Sequence, residues 1–303
     1  MLKKIQSLFR DRNFILAISL VLGMAWDGGA YFLKDAIIPL LAIIMTFSTT
    51  AVPSTVFRSV RSMIKQAIIG SLTSYLFYGG LLLVLNYLII ANRDFWVGFV
   101  IISAVPPAVA VIPFSIFLKA HKEFVLFGTI GAYITALFLT PLIMLILLGS
   151  AFINPLKVLM ILVELIILPI VLSRVLIRTG VSQKIEHVKG TLINWTFFLV
   201  IYIITGLNRD VMLFRTAELI PVIVLSFLST FVFGWIIELI GKLSKMKNDI
   251  VKGLILLGTY KNYGLAGGLA LVFFTSETAV PATVASTMSI IYIIYLQIRF
   301  RKA

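Results

Sequence analysis

Polar residues fall along this chain in short clusters, and the stretches between the clusters are almost wholly apolar. Ten apolar segments result, roughly 13–31, 36–53, 64–91, 95–119, 123–150, 155–178, 190–207, 216–243, 250–274 and 279–298. Each approaches or exceeds the about 20 residues that a helix needs to cross a bilayer core about 30 Å thick. None shows the alternation of apolar and polar positions that marks a membrane barrel. The pattern predicts an all-α membrane protein of ten transmembrane helices joined by short loops.

Two segments break the apolar pattern internally. The fourth contains "AVPPAVAVIPF", Ala104 to Phe114, with Pro106, Pro107 and Pro113. The ninth contains "GTYKNYGLAGG", Gly258 to Gly268, with Gly258 and Gly264 around a Lys-Asn pair. Proline and glycine both weaken a helix interior, so helix breaks are expected at these five positions. Ten spans divide into two sets of five, 1–151 and 152–303. Because five is odd, the second set runs through the membrane in the opposite sense. The broken spans are then the fourth of each set, and matched interruptions in inverted repeats point to a transport site. Taken singly, each interruption is also explained by ordinary helix packing.

Basic residues fix an orientation. With the N-terminus in the cytoplasm, 20 Lys and Arg fall in the inside segments and 5 in the outside ones, leaving Lys261 within a span. The positive-inside rule therefore favours both termini in the cytoplasm. The basic start followed by an apolar run looks like a signal peptide, but it lacks a clean small-x-small cleavage site and is read as the first membrane helix. The expected location is a bacterial cytoplasmic membrane.

Composition agrees: 60% of the 303 residues are hydrophobic and 13% charged, with mean hydropathy +1.09. The net charge of +14 is accounted for by the inside loops, so no nucleic acid is expected as a partner. The absence of cysteine excludes disulfides, thiolate metal sites and cysteine nucleophiles. No Walker loop, metal-ligand spacing or Ser/His/Asp arrangement is present, so the chain does not read as an enzyme, and no cofactor or metal is expected. His121 and His187 fall in loops.

Three residues carry the chemistry. Lys261 lies about eleven residues into its segment, near the membrane midplane, too deep for its stem to reach water. It needs a neighbouring anion, a wet cavity or a neutral amine, or else it bonds the loose carbonyls of a helix break. Asn262 can donate and accept in the same gap, or cap a half-helix. Tyr260 and Tyr263 flank the pair and either line a cavity or pack. Glu164, about ten residues into the sixth segment, is the other deep charge. It reads as a proton site, a partner for Lys261, or a neutral acid bonded to another helix. Asp27, Asp35 and Asp94 sit near the outer surface as solvated groups, and Glu238 is placed to pair with inner lysines.

With these features the chain resembles the bile acid:sodium symporter family. The resemblance rests on ten spans, broken segments four and nine, the run Asn262-Tyr263-Gly264-Leu265-Ala266, and "LTP" at Leu139 to Pro141. It implies a panel domain of segments about 13–53 and 155–207, and a core domain of segments about 64–150 and 216–298. It also implies organic-anion substrates and alternating access. The family's ninth-helix signature is Gln-Asn-Ser-Gly-Leu-Ala, and here Lys261 stands at the glutamine. Leu257 stands at a bridging glutamate, and Val111 and Ile112 at a Ser-Asn pair. Thr135 keeps one hydroxyl position, whereas Gly131 stands at another. Leucine, valine and isoleucine offer no side-chain oxygen to a hard cation. Both sodium sites therefore read as lost, with the Lys261 ammonium in place of an ion.

The expected function is a sodium-independent secondary transporter of a small organic anion, coupled to protons or working by exchange. The expected partners are that solute and the lipid bilayer. Lys261, Asn262, Thr135, Tyr260, Tyr263 and Glu164 are the candidate binding residues. An auxin-efflux-carrier-like transporter, or a sensor that keeps a transporter fold without transporting, are the competing readings. The sequence leaves the oligomeric state open.

Overall fold

The computed structural model describes residues 12–50, 60–149 and 154–301. The basic N-terminal residues before 12, the last part of the second apolar segment, Arg58, residues 150–153 and Lys302 lie outside the described residues.

Among the described residues, twelve principal helices follow one another. They are α1 (Arg12–Ala25), α2 (Gly28–Thr49), α3 (60–89), α4 (Arg93–Ala104), α5 (Val111–Phe117), α6 (Lys122–Leu148), α7 (Pro155–Arg178), α8 (Glu186–Leu207), α9 (Thr216–Leu243), α10 (Asn248–Thr259), α11 (Tyr263–Phe273) and α12 (Val280–Arg301). Among the described residues, seven stretches are long and apolar enough to cross a membrane: those of α2, α3, α6, α7, α8, α9 and α12. The chain is an all-α, multi-pass integral membrane protein.

The outward faces explain why it needs a bilayer. Along α6, Ile134, Phe138, Leu142 and Ile146 recur every four residues and are 59, 73, 48 and 68% exposed. A greasy stripe of that length on one helix face is stable only against lipid or another apolar surface. Inside, small residues bring helices together. The Cα of Gly70 on α3 lies 3.4 Å from where a Cβ on Gly128 of α6 would stand. Gly131 likewise packs on Ala67. Side chains at these points would force the two backbones apart.

The helices form two packed groups. α1, α2, α7 and α8 lie on one another, while α3, α4 and α6 pack together and α9 joins α10 and α12. α2 and α8 then meet α11 and α12 across the join.

One boundary differs from the apolar pattern. The first segment was expected to run to residue 31 and the second to begin at 36. The chain instead breaks at Trp26–Asp27, and α2 begins at Gly28. Hydropathy alone does not register this break, because the carbonyls it frees find donors far away in sequence. Arg209 Nε donates to Met24 O at 2.7 Å, and Tyr202 Oη donates to Trp26 O at 3.0 Å. These bonds satisfy backbone groups that a helix end leaves open.

Candidate functional site

Two of the apolar segments are interrupted, and the interruptions meet. Between α4 and α5 the chain leaves the helical path at 105–110; between α10 and α11 it does so at 260–262. The two extended pieces pair in antiparallel fashion at Pro107 and Lys261. Asn262 N donates to Pro106 O at 2.9 Å, and Ala108 N donates to Tyr260 O at 3.2 Å. Pro106 and Pro107 lie in the first gap, where they have no N–H to leave unpaired. Pro113 lies in the first turn of α5, a position that tolerates proline. Gly258 and Gly264 lie within α10 and α11, not in the gap. Their absent side chains instead admit Ile237 and Thr73, and Leu41, respectively.

The broken end of α4 exposes a run of carbonyls, and each has a donor. Lys261 Nζ donates to Ser103 O at 3.2 Å and to Val105 O at 2.7 Å. Thr140 Oγ1 donates to Ala104 O at 2.6 Å. The third Nζ partner is Ser74 Oγ on α3, at 2.9 Å. Three acceptors match the three N–H bonds of an ammonium. The rings of Tyr75 and Tyr78 lie 4.6 and 5.2 Å from Nζ, close enough for cation–π attraction. The site also lies at the C-terminal, negative end of a helix dipole. Lys261 is only 1% exposed.

Asn262 is the N-cap of α11: its Oδ1 accepts from Leu265 N at 3.1 Å. Its Nδ2 donates to Tyr133 Oη at 3.2 Å and lies 3.5 Å from Met45 Sδ. One side chain thus joins α11 to α6 and α2. Tyr260 Oη donates to Ser289 O at 3.1 Å, and its ring stacks 5.8 Å from that of Tyr292. Tyr263 Oη sits between Tyr78 Oη and Thr259 O, 3.4 Å from each.

A cavity of about 710 Å³ adjoins this crossing. Its walls include Met45, Phe114, Phe197, Asn194 and Ser286, and its deep end includes Tyr260, Lys261, Asn262 and Tyr263. It extends to Glu186 and Lys189 at the start of α8 and to Gln297 near the end of α12. None of the three groups that accept from Lys261 Nζ lines it. The lysine therefore borders the cavity while its amino group points into the protein. A second cavity, about 550 Å³, lies toward the other end of α2, beside Lys34 and Asp35. Between the two, Leu41 and Ile37 of α2 press on Gly264 and Gly268 of α11.

The remaining candidates are placed elsewhere. Thr135 shares a 3.0 Å hydrogen bond with Ser71 at the α3–α6 contact and does not line either cavity. Glu164 is exposed on the outside of α7 and makes no hydrogen bond or ion pair among the described residues. It is not the partner of Lys261. Val111 and Leu257 are buried among apolar side chains, and Ile112 packs against the same clusters. Glu238 pairs with Lys242 at 2.8 Å, a nearby lysine as expected, and also with Arg299 at 3.0 Å. Asp94 is more than a solvated group, since it accepts from Thr275 and Thr278 at 2.6 and 2.9 Å.

Sequence reasoning passed over Ser74, Tyr75, Tyr78, Tyr133 and Thr140. A signal existed for the first three in "SLTSYLFYGG", a stretch dense in hydroxyls within an apolar span. It forms a π-helical segment, Leu72–Gly79. The wider turns of such segments often mark functional positions. Compared with known proteins, the chain matches no family model and no curated protein.

Proposed function

We propose that this protein is a secondary transporter of a small organic anion, working by alternating access without sodium. Ten crossings are reached by counting the seven long helices, α1, and the two broken pairs α4–α5 and α10–α11. Two inverted five-helix repeats follow from that count. The third helix of each repeat, α3 and α9, carries a π-helical segment, at Leu72–Gly79 and Leu228–Val232. The α1–α2–α7–α8 group is the panel and the rest is the core.

One observation carries the reading: the amino group of Lys261 sits among three oxygens and two aromatic rings at the crossing of the two broken segments. An arrangement of inward-facing oxygens at a half-helix end is chemistry for a cation, and the chain supplies the cation itself. A positive charge supplied in this way costs no ion gradient. The large cavity serves as the solute site. Its apolar walls take the body of the solute, and the amides of Asn194 and Asn262 take its polar head. With both termini cytoplasmic, this cavity faces inward, and the Leu41–Gly268 contact is the closed outer barrier.

The test is uptake into proteoliposomes of a panel of carboxylates and sulfonates, with sodium and proton gradients imposed separately. Uptake in sodium-free buffer is expected for at least one solute. Uptake that requires sodium would overturn the reading. A sensor without transport would instead give ligand-induced thermal stabilisation with no flux.

A further inference from the structure

An anion in the large cavity needs a cation to face it, and Lys261 does not offer one there. Its amino group is taken up by Ser74 Oγ, Ser103 O and Val105 O, none of which lines the cavity. Among the described residues, the charged side chains that line the cavity are Glu186, Lys189 and Lys261. Lys189 is the cation of this set whose bonded partner also lines the cavity: its Nζ donates to Glu186 Oε2.

The two ends of that pair differ in their surroundings. The Lys189 side chain is 13% exposed, and that of Glu186 is 64% exposed. The cation is held inside, while the acid stands mostly in water. Glu186 can therefore swing away and be solvated, whereas Lys189 stays at the cavity wall. An exposed acid in such a pair contributes little to stability, so a second carboxylate can take its place.

Room for that second carboxylate lies beside the lysine. Gly190 also lines the cavity, and no atom would lie within 4 Å of a Cβ placed on it. Lys189, Gly190, Ile193, Asn194 and Phe197 recur at helical spacing, so one face of α8 forms this wall. Asn194 stands five residues beyond Lys189, about 7.5 Å along the axis. The flexible lysine stem covers much of that rise, so one anionic head can meet Lys189 and the Asn194 amide together. Ile193 and Phe197 then face the apolar body. With the large cavity as the solute site, a premise taken from the proposed transport function, we propose that Lys189 is the residue that selects an anionic solute. Glu186 is its built-in carboxylate, and the head of the solute displaces it.

The probes are straight-chain and aryl carboxylates, from butanoate to octanoate and from benzoate to phenylbutanoate. Each is compared with its own uncharged amide at matched ionic strength. The melting temperature of the purified protein over a concentration series gives an apparent Kd by mass action. The wild type should bind at least one carboxylate more tightly than its amide. Lys189→Gln should weaken that carboxylate about tenfold or more, the size of a lost hydrogen bond to a charged group, and leave the amide unchanged. Lys189→Arg should restore the preference. Glu186→Gln should strengthen carboxylate binding several-fold, a gain that misfolding cannot produce. The proposal is overturned if the wild type binds carboxylates and amides equally or binds neither series. It is also overturned if the preference survives Lys189→Gln, or if Glu186→Gln brings no gain. No gradient enters this measurement, so uptake that requires sodium would overturn the transport reading and leave the role of Lys189 standing.

Discussion

The two broken segments look equivalent in outline, but they solve the problem of a broken helix in opposite ways. The α4–α5 gap is built from Val105, Pro106, Pro107 and small residues, and its side chains make no polar contact. It exposes carbonyls and leaves them for others to satisfy. The α10–α11 gap contains Lys261 and Asn262, which supply donors and a cap. Lys261 and the backbone of Asn262 repair the first gap, and the Asn262 side chain caps its own half-helix. The first gap is an acceptor and the second is a donor, so the two spans depend on each other unequally.

That asymmetry predicts a ranking of damage. Lys261→Met should have the largest effect. It leaves Ser103 O and Val105 O without a donor in a buried site, and each such group costs about 1–3 kcal/mol. A loss on the order of 3 kcal/mol or more should appear as a large fall in melting temperature, together with loss of uptake. If Lys261→Met melts like the wild type, the donor role of the second gap is wrong.

Asn262→Ala comes next. Loss of an N-cap costs about 1 kcal/mol, and the bond to Tyr133 goes with it. Because Tyr133 lies on α6, the double change with Tyr133→Phe should be less than additive. A full sum in a double-mutant cycle would separate the cap from the contact.

Thr140→Val removes one donor to the first gap from outside the second, leaving Ala104 O unpaired. A loss of about 1–2 kcal/mol is expected, smaller than that of Lys261→Met. An equal or larger effect would show that the first gap leans on α6 rather than on Lys261.

Pro107→Ala should matter least. Pro107 contributes no side-chain bond, so a change within about 1 kcal/mol is expected from altered chain stiffness alone. A collapse of stability would mean that the first gap carries structure of its own.

How far the sequence leads depends on which physical signal each feature leaves. Long apolar runs announced α6, α7 and α9 almost to the residue, because lipid selects for them directly. "PP" and "KN" marked the gaps, since both interrupt an apolar run. Pro113, Gly258 and Gly264 looked like part of the same interruptions, but a proline in a first turn and a glycine at a close contact leave the same trace as a break. Trp26–Asp27 left too little trace, because distant Arg209 and Tyr202 satisfy its carbonyls. Ser74, Tyr133 and Thr140 come from other helices, and periodicity says nothing about which helices meet. Glu164 was legible as a deep charge, but only the structure reveals that it faces outward.

The central claim is that the chain carries its own cation at the crossing. The most direct measurement is the melting temperature of the purified wild-type protein across a series of sodium chloride concentrations, against choline chloride at matched ionic strength. With Lys261 Nζ already holding Ser74 Oγ, Ser103 O and Val105 O, the two series should coincide. A sodium-specific rise with concentration, as mass action requires of a bound ion, would contradict the account.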